Sequence, residues 1–328
     1  MWTFDELDPQ IDDIRERILT HGKRLGDYFV NRREEIELAV LCTAAQEPLL
    51  FVGAPGTAKS DLVVKFVEST GLDKASYFEY MLTKFTEPSE ILGPIDLEQL
   101  KTGRFTRRTS GMLPEGVVVF LDEIFKSNSA ILNTLLTILN ERKFYQDGAP
   151  TPVALKMLFA ATNEIPEQTE LEALADRFVI KIETLPVKDT HFEALIEAGM
   201  RNEGWKATGQ RPWVDGTASL EDYFKFKRYM DLMFSGVNGG SETFERWFPR
   251  SLRAEFRRVI RALEAEDKVY ISDRKVVKLY KLICTRAFLF HGGAVQRDDL
   301  RLLCYVGNKR HELAPVAAKV KALLGLDA

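Results

Sequence analysis

Short apolar runs recur along the first 186 residues, and stretches of helical periodicity separate them. Apolar runs of this length, bounded by turn residues, are typical of buried parallel strands. The runs are Leu49–Val52, Tyr77–Met81, Val117–Leu121, Leu155–Ala161 and Phe178–Ile182. The clearest helical pattern covers residues 129–142. Because strands and helices alternate, this region is predicted to form an α/β fold, a parallel sheet with helices on both faces.

The pattern changes after Pro186, where strand-like runs fade and helical periodicity continues. We therefore predict two domains, an α/β domain over residues 1–186 and an all-α domain over residues 187–328. Helices are expected over residues 10–27, 31–46, 188–200 and 274–290, with three helices in all between about 250 and 326. Residues 203–217 are polar and contain several glycines, so a loop is expected there. A second break is expected at residues 235–241.

The composition is that of a soluble globular protein, with 45% hydrophobic and 29% charged residues. The formal net charge is −4, so the chain lacks an overall basic field that would recruit nucleic acid. Its three cysteines are widely spaced, which favours free thiols in a reducing compartment. No signal-peptide pattern and no run long enough to span a membrane is found, so a cytoplasmic location is expected.

The most specific motif is the segment 53–60, Gly-Ala-Pro-Gly-Thr-Ala-Lys-Ser. A phosphate-binding loop of the P-loop class needs glycines that let backbone N–H groups converge on phosphate oxygens, a lysine, and a hydroxyl for Mg²⁺. The segment follows a predicted strand and opens a predicted helix, whose N-terminus also favours anions. The predicted nucleotide contacts are Gly53, Ala54, Pro55, Gly56, Thr57, Ala58, Lys59, Ser60 and Asp61. Ala58 stands where glycine is usual, and the loop is expected to keep its shape provided that φ there is negative.

Two acids, Asp122 and Glu123, follow the apolar run that ends at Leu121. In P-loop enzymes an acid at the end of such a strand supports Mg²⁺, and the next residue can polarise the attacking water. We therefore assign Ser60 and Asp122 to the metal and Glu123 to the role of catalytic base. The alternative is an acidic pair that only caps the following helix, and the phosphate loop upstream argues against it.

Three further residues are candidates for sensing the nucleotide. Asn163 ends an apolar run and can hydrogen-bond the water or the γ-phosphate. Arg177 precedes the last predicted strand, from where it can reach the nucleotide of a neighbouring subunit. Arg274 opens a predicted helix of the second domain in a Ser-Asp-Arg sequence, and from this helical lid it can reach the nucleotide. A second Ser-x-Arg sequence ends at Arg253, so the choice between these two arginines stays open, with Arg274 favoured.

With these residues placed, the chain resembles the MoxR family of AAA+ ATPases, and most closely its RavA branch. The resemblance covers about residues 20–310. Its most specific stretches are Phe120-Leu-Asp-Glu-Ile, Ala130-Ile-Leu-Asn-Thr-Leu-Leu-Thr-Ile-Leu-Asn-Glu-Arg and Tyr270-Ile-Ser-Asp-Arg, with Leu92-Gly-Pro and Thr109-Ser-Gly-Met-Leu-Pro-Glu also matching. Members of this family commonly carry alanine at the position of Ala58.

The resemblance implies ATP and Mg²⁺ as ligands, a five-stranded parallel sheet followed by a helical lid, and a hexameric ring with ATP between subunits. It also implies an insertion within about residues 92–112 and a hairpin over about residues 143–156. MoxR proteins are expected to act as chaperones that remodel partner complexes, often beside a protein with a von Willebrand factor A domain.

Two other functions stay open at this point. The chain could be a nucleotide-gated scaffold with little turnover, although the presence of Glu123 and Arg177 argues for hydrolysis. It could also be a ring motor that translocates nucleic acid, although the acidic balance of the chain argues against that. We therefore expect an ATP-hydrolysing homo-oligomer that acts on a partner protein.

Overall fold

The computed structural model describes residues 2–166, 169–236 and 242–326. The strands are β1 (Leu49–Val52), β2 (Tyr77–Met81), β3 (Val118–Asp122), β4 (Lys143–Gln146), β5 (Ala149–Pro152), β6 (Met157–Thr162) and β7 (Ile180–Glu183). The α-helices are α1 (Phe4–Leu7), α2 (Ile11–Gly26), α3 (Arg33–Ala45), α4 (Lys59–Ser69), α5 (Pro88–Leu92), α6 (Leu97–Lys101), α7 (Ser129–Glu141), α8 (Thr169–Ala175), α9 (Phe192–Thr208), α10 (Leu220–Phe234), α11 (Glu242–Trp247), α12 (Arg250–Glu266), α13 (Asp273–His291) and α14 (Arg310–Leu324). A 3₁₀ segment, Arg297–Tyr305, connects α13 to α14.

Five strands form one parallel sheet in the order β2–β3–β6–β1–β7. The predicted five-stranded parallel sheet is therefore confirmed, and each strand overlaps its predicted apolar run. Three strands begin slightly later than these runs. Val117, Leu155 and Phe178 lie just before the strands but still pack into the apolar cores.

Side chains of each strand alternate between two apolar cores, one on each face of the sheet. In β1, Leu49 and Phe51 belong to one core, whereas Leu50 and Val52 belong to the other. Helices α2, α3 and α4 contribute to the first core, together with helices of the second half of the chain. Helices α7 and α8 contribute to the second. Burial on both faces explains why these strands read as continuous apolar runs.

Helices α2 and α3 join the sheet to the second half of the chain. Arg17 of α2 forms an ion pair of 2.5 Å with Asp222 of α10. Glu47, which follows α3, pairs with Lys278 at 2.8 Å and with Lys281 at 2.7 Å, both on α13. The N-terminal helices therefore pack on both halves. The boundary expected at residue 186 stays a prediction.

The expected loop over residues 203–217 is wrong at its start, because α9 continues through Gly204 to Thr208. The helix ends where Gly209 adopts a left-handed conformation with φ 68°, the usual glycine stop of a helix. The other expected helices are present with small shifts at their ends. The expected break at residues 235–241 lies mostly outside the described residues.

Both expected excursions from the core are present. Residues 92–112 contain α6 and a bridge between Ile95 and Arg107. β4 and β5 form an antiparallel hairpin, so the hairpin expected within residues 143–156 is confirmed. The two excursions contact each other, since Phe105 and Asp147 exchange hydrogen bonds of 3.1 and 2.9 Å. Across the described residues, none of the helices combines the length and apolar character that crossing a membrane requires.

Candidate functional site

The predicted motif residues meet at the edge of the sheet where the parallel strands end. The phosphate loop follows β1, Asp122 ends β3, and Asn163 follows β6, which lies between those two strands. Loops at the carboxyl ends of parallel strands are the usual ligand sites of open α/β sheets. The fold therefore brings together segments that are far apart in the chain.

A close backbone approach at Gly53 holds the phosphate loop against the segment that follows β7. A Cβ atom at Gly53 would lie 2.4 Å from both the carbonyl oxygen and the hydroxyl of Thr184, so only glycine fits. Thr57 Oγ1 donates to Ala54 O at 2.9 Å and lies 3.1 Å from Thr184 Oγ1. These contacts fix both ends of the loop.

Lys59 begins α4, and its ammonium group points back into the loop. Its Nζ donates to Gly53 O at 2.5 Å and to Ala54 O at 2.9 Å. Burial lowers the pKa of Lys59, and the charges of Asp122 and Glu123 oppose that change. The ammonium is therefore held inside the loop by two backbone carbonyl oxygens. A lysine in a loop that opens a helix is the arrangement typical of phosphate binding.

The backbone at Ala58 does not meet the condition of a negative φ. Its φ is +63° and its ψ is 20°, in the left-handed region. The turn from the loop into α4 requires this conformation, which glycine adopts freely and which costs alanine about 1–2 kcal/mol. Alanine therefore preserves the shape of the loop at the expense of local backbone strain.

Ser60 and Asp122, the predicted metal residues, are neighbours, since Ser60 Oγ donates to Asp122 Oδ2 at 3.3 Å. Mg²⁺ in nucleotide sites takes few protein ligands and completes its octahedral shell with phosphate oxygens and water. A hydroxyl beside a carboxylate fits that pattern. Within the described residues, no group of three or more His, Cys, Asp or Glu side chains could hold a metal independently. The pair therefore fits Mg²⁺ only together with a bound phosphate.

Glu123 follows β3 in a left-handed conformation with φ 53°. Asn163 Nδ2 donates to Glu123 Oε1, and Lys126 Nζ lies 3.2 Å from the same oxygen. A strained non-glycine backbone of this kind is common where function requires a particular direction of the side chain. The two adjacent acids thus point to different partners, Asp122 to Ser60 and Glu123 to Asn163.

One residue of this site was not predicted from the motifs. Arg310, the first residue of α14, donates from Nη1 to Asn163 O at 3.1 Å and from Nε to Glu183 Oε1 at 3.2 Å. Burial is the main cause of the lowered pKa of Lys59, and the positive charge of Arg310 lowers that pKa further. A signal was present in the sequence. Residues 309–311 form a basic run at a helix N-terminus, where the helix dipole disfavours cations.

The motifs also did not predict a cavity of about 370 Å³ beside the phosphate loop. Its walls come from residues 55–58 of the loop, from Tyr28 and Phe29 before α3, and from the inner face of α9. The walls combine apolar side chains with the charged side chains of Arg32, Asp61 and Lys188. The volume lies within the range of small-molecule sites. Lys65 ties two walls together, because its Nζ pairs with Asp61 at 2.8 Å and donates to Asn202 at 3.1 Å. The cavity opens directly beside the phosphate loop.

The other two predicted arginines lie close to each other. Arg177 is mostly buried, pairs weakly with Asp176 at 3.7 Å, and has a buried Nε without a hydrogen-bond partner in the part of the chain described. Ser272, which caps α13, lies 3.4 Å from the same Asp176 carboxylate. Arg274 follows in the first turn of α13 and is exposed. The alternative, Arg253, forms an ion pair of 3.6 Å with a glutamate of α11.

Comparison with known families covers both halves of the chain. A family model for the MoxR domain of MoxR–vWA–β-propeller ternary systems matches residues 16–220. A family model for an AAA lid domain matches residues 252–316, which include α13 and the start of α14. The phosphate loop, both acids, Asn163 and Arg177 lie in the first match, and Arg274 and Arg310 lie in the second.

Individual relatives give the same result. The chain is 44% identical over 300 residues to the uncharacterised protein MJ0812 of Methanocaldococcus jannaschii, covering 91% of this chain and 73% of that relative. It is 32% identical over 305 residues to the uncharacterised protein MJ0079 of the same organism, covering 92% and 71%. A crystallised candidate ATPase from Cytophaga hutchinsonii shares the fold, with a TM-score of 0.70 at 17% identity and coverage of 98% and 97%. The chain belongs to the MoxR family of AAA+ ATPases.

Proposed function

We propose that the protein hydrolyses ATP in a ring of identical subunits and uses that cycle to remodel a partner protein complex. The observation that carries this proposal is the convergence of three elements at one edge of the sheet. They are the Lys59 ammonium in its loop, the Ser60–Asp122 pair and the Glu123–Asn163 pair. The adjacent cavity supplies room for the rest of the nucleotide.

Each side chain has a role that follows from its chemistry. The loop N–H groups and the Lys59 ammonium bind the phosphates and offset their negative charge. Ser60 and Asp122 would hold Mg²⁺, which when bound neutralises charge on the phosphate oxygens. Glu123 accepts a hydrogen bond from the attacking water and orients it, while Asn163 fixes the direction of the Glu123 carboxylate.

The arginines divide into two groups in this proposal. Arg310 contacts Asn163 within its own chain, so we assign it to the chain's own nucleotide as the lid arginine. Arg177 and Arg274 are joined through Asp176 and Ser272, and we assign both to the γ-phosphate in a neighbouring subunit. An arginine supplied in this way typically contributes about 10³–10⁵ in rate.

The partner is proposed to be a protein with a von Willebrand factor A domain. The matching family model supports this choice, because it describes MoxR domains of MoxR–vWA–β-propeller systems. A chaperone role, six subunits per ring and membership of the RavA branch are further parts of the proposal that rest on the motif resemblance. The three cysteines are free and buried, which supports a reducing, cytoplasmic setting.

Steady-state phosphate release with ATP and Mg²⁺, paired with a direct binding measurement, tests the enzymatic part. Lys59→Ala should lose nucleotide binding, whereas Glu123→Gln should bind ATP normally and hydrolyse it at least about 100-fold more slowly. Glu264→Gln, at an exposed position on α12, is the matched control and should behave like the wild type. Full turnover by Glu123→Gln would remove Glu123 from the role of base. ATP binding without turnover by the wild-type protein would favour a nucleotide-gated scaffold.

A further inference from the structure

The outer face of α9 exposes a row of large apolar side chains. Phe192, Ile196 and Met200 are spaced four residues apart and are 59%, 50% and 70% exposed. Residues at this spacing lie on the same side of a helix, so the three form one continuous stripe, called here the α9 stripe. Contiguous exposed apolar surface on a soluble protein usually marks an interaction site.

The surroundings of the α9 stripe connect it to the nucleotide site and give it a charge. Leu195, Ala198 and Asn202, on the inner face of the same helix, line the cavity beside the phosphate loop. Glu193 and Glu197 are exposed next to the stripe, and within the described ranges neither forms an ion pair. The stripe is therefore an apolar surface with an acidic border, one helix thickness away from the proposed nucleotide.

A second exposed apolar surface surrounds Arg274. Tyr270 is 70% exposed just before α13, and Val277 is 68% exposed one turn after Arg274. These three residues, called here the arginine face, combine apolar side chains with a cation that has no ion pair or hydrogen bond in the part of the chain described. The arginine face therefore has the same apolar character as the α9 stripe and the opposite charge.

Contacts beneath the arginine face fix Arg274 relative to Arg177. Ser272 lies within 3.4 Å of the Asp176 carboxylate, which also pairs with Arg177. Lys275, buried beneath Arg274, donates to Val306 O at 2.6 Å and to Asn308 Oδ1 at 2.9 Å. Both arginines would consequently move as one unit toward any phosphate that they bind.

We propose that the α9 stripe is the seat for the arginine face of a second copy of this chain. The inference rests on the proposed function, in which Arg177 and Arg274 reach the nucleotide of the next subunit. When they do so, the apolar residues on either side of Arg274 arrive next to the helix that lines the nucleotide cavity. Apolar surface then covers apolar surface, and the acidic border formed by Glu193 and Glu197 attracts the positively charged arginine face as the two copies approach each other. The contact is head to tail, so it joins different surfaces of the two copies and can close into a ring.

Two charge substitutions test this pairing, each on a different surface. Met200→Glu places a carboxylate in the α9 stripe, and Val277→Glu places one in the arginine face. Leu97→Glu, at a position 65% exposed on α6, is the matched control. All three are made in the Glu123→Gln background with ATP, and assembly is followed by sedimentation velocity. Met200→Glu and Val277→Glu should each raise the concentration for half-assembly at least about tenfold, and Leu97→Glu should leave it unchanged.

Mixing the two variants distinguishes a head-to-tail contact from a symmetric one. A subunit with a damaged α9 stripe still has an intact arginine face, and the other variant has the reverse. The mixture should therefore form dimers that neither variant forms alone. Nucleotide affinity measured below the assembly concentration, together with thermal unfolding, should match the background protein and shows that each variant is folded.

The outcomes separate the inference from the proposed function. If the background protein assembles with ATP and Met200→Glu assembles equally well, the α9 stripe is not the seat, while the proposed function stands. If Met200→Glu alone disrupts assembly and Val277→Glu does not, the stripe has a different occupant and the pairing is overturned. If the background protein does not assemble with ATP at any concentration, the proposed ring does not form, and both the ring and the pairing inferred from it are overturned.

Discussion

Two regions of the molecule differ in whether their polar side chains have hydrogen-bond partners. The phosphate side consists of Lys59, Asp122, Glu123 and Asn163, and the arginine side consists of Arg177 and Arg274. On the phosphate side each side chain has a partner within the chain. On the arginine side, Arg274 is exposed and Arg177 has a buried Nε without a partner in the part of the chain described. A buried polar group without a partner is unfavourable unless binding supplies one.

This difference has a structural origin. The phosphate side lies at the carboxyl ends of β1, β3 and β6, each of which pairs with a strand on both of its sides. The arginine side lies at the end of α8 and the start of α13, where Asp176 and Ser272 hold the segments together by long contacts. A rigid site for phosphate and a separate pair of arginines are what a nucleotide shared between two copies requires.

The largest effect on ATP turnover is expected when one variant lacks the arginine side and a second variant lacks the phosphate side. Arg177→Ala should lower ATP turnover by about 10³ and leave ATP affinity unchanged, because in the proposed ring this arginine acts on the nucleotide of a neighbour. Lys59→Ala lacks nucleotide binding but keeps its own arginines. A mixture of these two inactive variants should therefore recover part of the activity, measured as phosphate release.

Co-assembly of the two variants must be shown by pull-down with a tag on one of them. If the mixed subunits co-assemble and recover no activity, Arg177 does not act across the interface. Arg261→Ala, an exposed arginine on α12, is the matched control and should retain full activity.

A pH change should weaken the packing behind the phosphate side. His21 of α2 lies 2.6 Å from Ser69 Oγ, at the end of the helix that Lys59 begins, and 2.7 Å from Tyr223 Oη. Burial lowers its pKa to about 4. Since the unfolded chain therefore protonates His21 more readily than the folded chain does, the contribution of His21 to the free energy of unfolding is fully present above about pH 6.5. It should fall by up to about 1.4 kcal/mol per pH unit between pH 6.5 and 4.

Urea unfolding at a series of pH values measures this effect. His21→Gln keeps a polar side chain but cannot titrate, so its stability should depend less on pH over that range. His191→Gln, at an exposed histidine, is the control and should retain the wild-type slope. Equal slopes for wild type and His21→Gln would show that His21 does not contribute.

A smaller effect should separate Arg310 from Arg274. Arg310 contacts Asn163 in its own chain, so Arg310→Ala should weaken ATP binding about tenfold even at concentrations where the protein is monomeric. Arg274→Ala should leave the affinity of the monomer unchanged and lower the turnover of the assembly. Binding of a fluorescent ATP analogue at low protein concentration measures the difference. A loss of monomer affinity in Arg274→Ala alone would reverse the two assignments.

The residues of the phosphate side are easier to bring together from the sequence than the arginines are, for a physical reason. Lys59, Asp122 and Asn163 each follow an apolar strand, and parallel strands place their carboxyl ends together once the sheet forms. Arg310 is 127 residues from its partner Glu183, and only the packing of α14 against β7 brings them together. No local pattern encodes that contact. For Arg274, the sequence indicated a helix start but not the surface on which that helix would lie.

The backbone conformation at Ala58 of the phosphate loop also could not be predicted from the sequence. A substitution at this residue should give the smallest change in stability. The sequence shows that alanine replaces glycine at position 58, but the sign of φ depends on how the loop meets α4. Ala58→Gly relieves about 1–2 kcal/mol of left-handed strain and loses about 0.5–1 kcal/mol through the greater freedom of glycine in the unfolded chain. The midpoint temperature of thermal unfolding of Ala58→Gly should therefore rise by about 2 °C. Ala54→Gly, in the same loop without a positive φ, lacks the strain and should shift it downward. Equal downward shifts in both variants would show that Ala58 is not strained in solution.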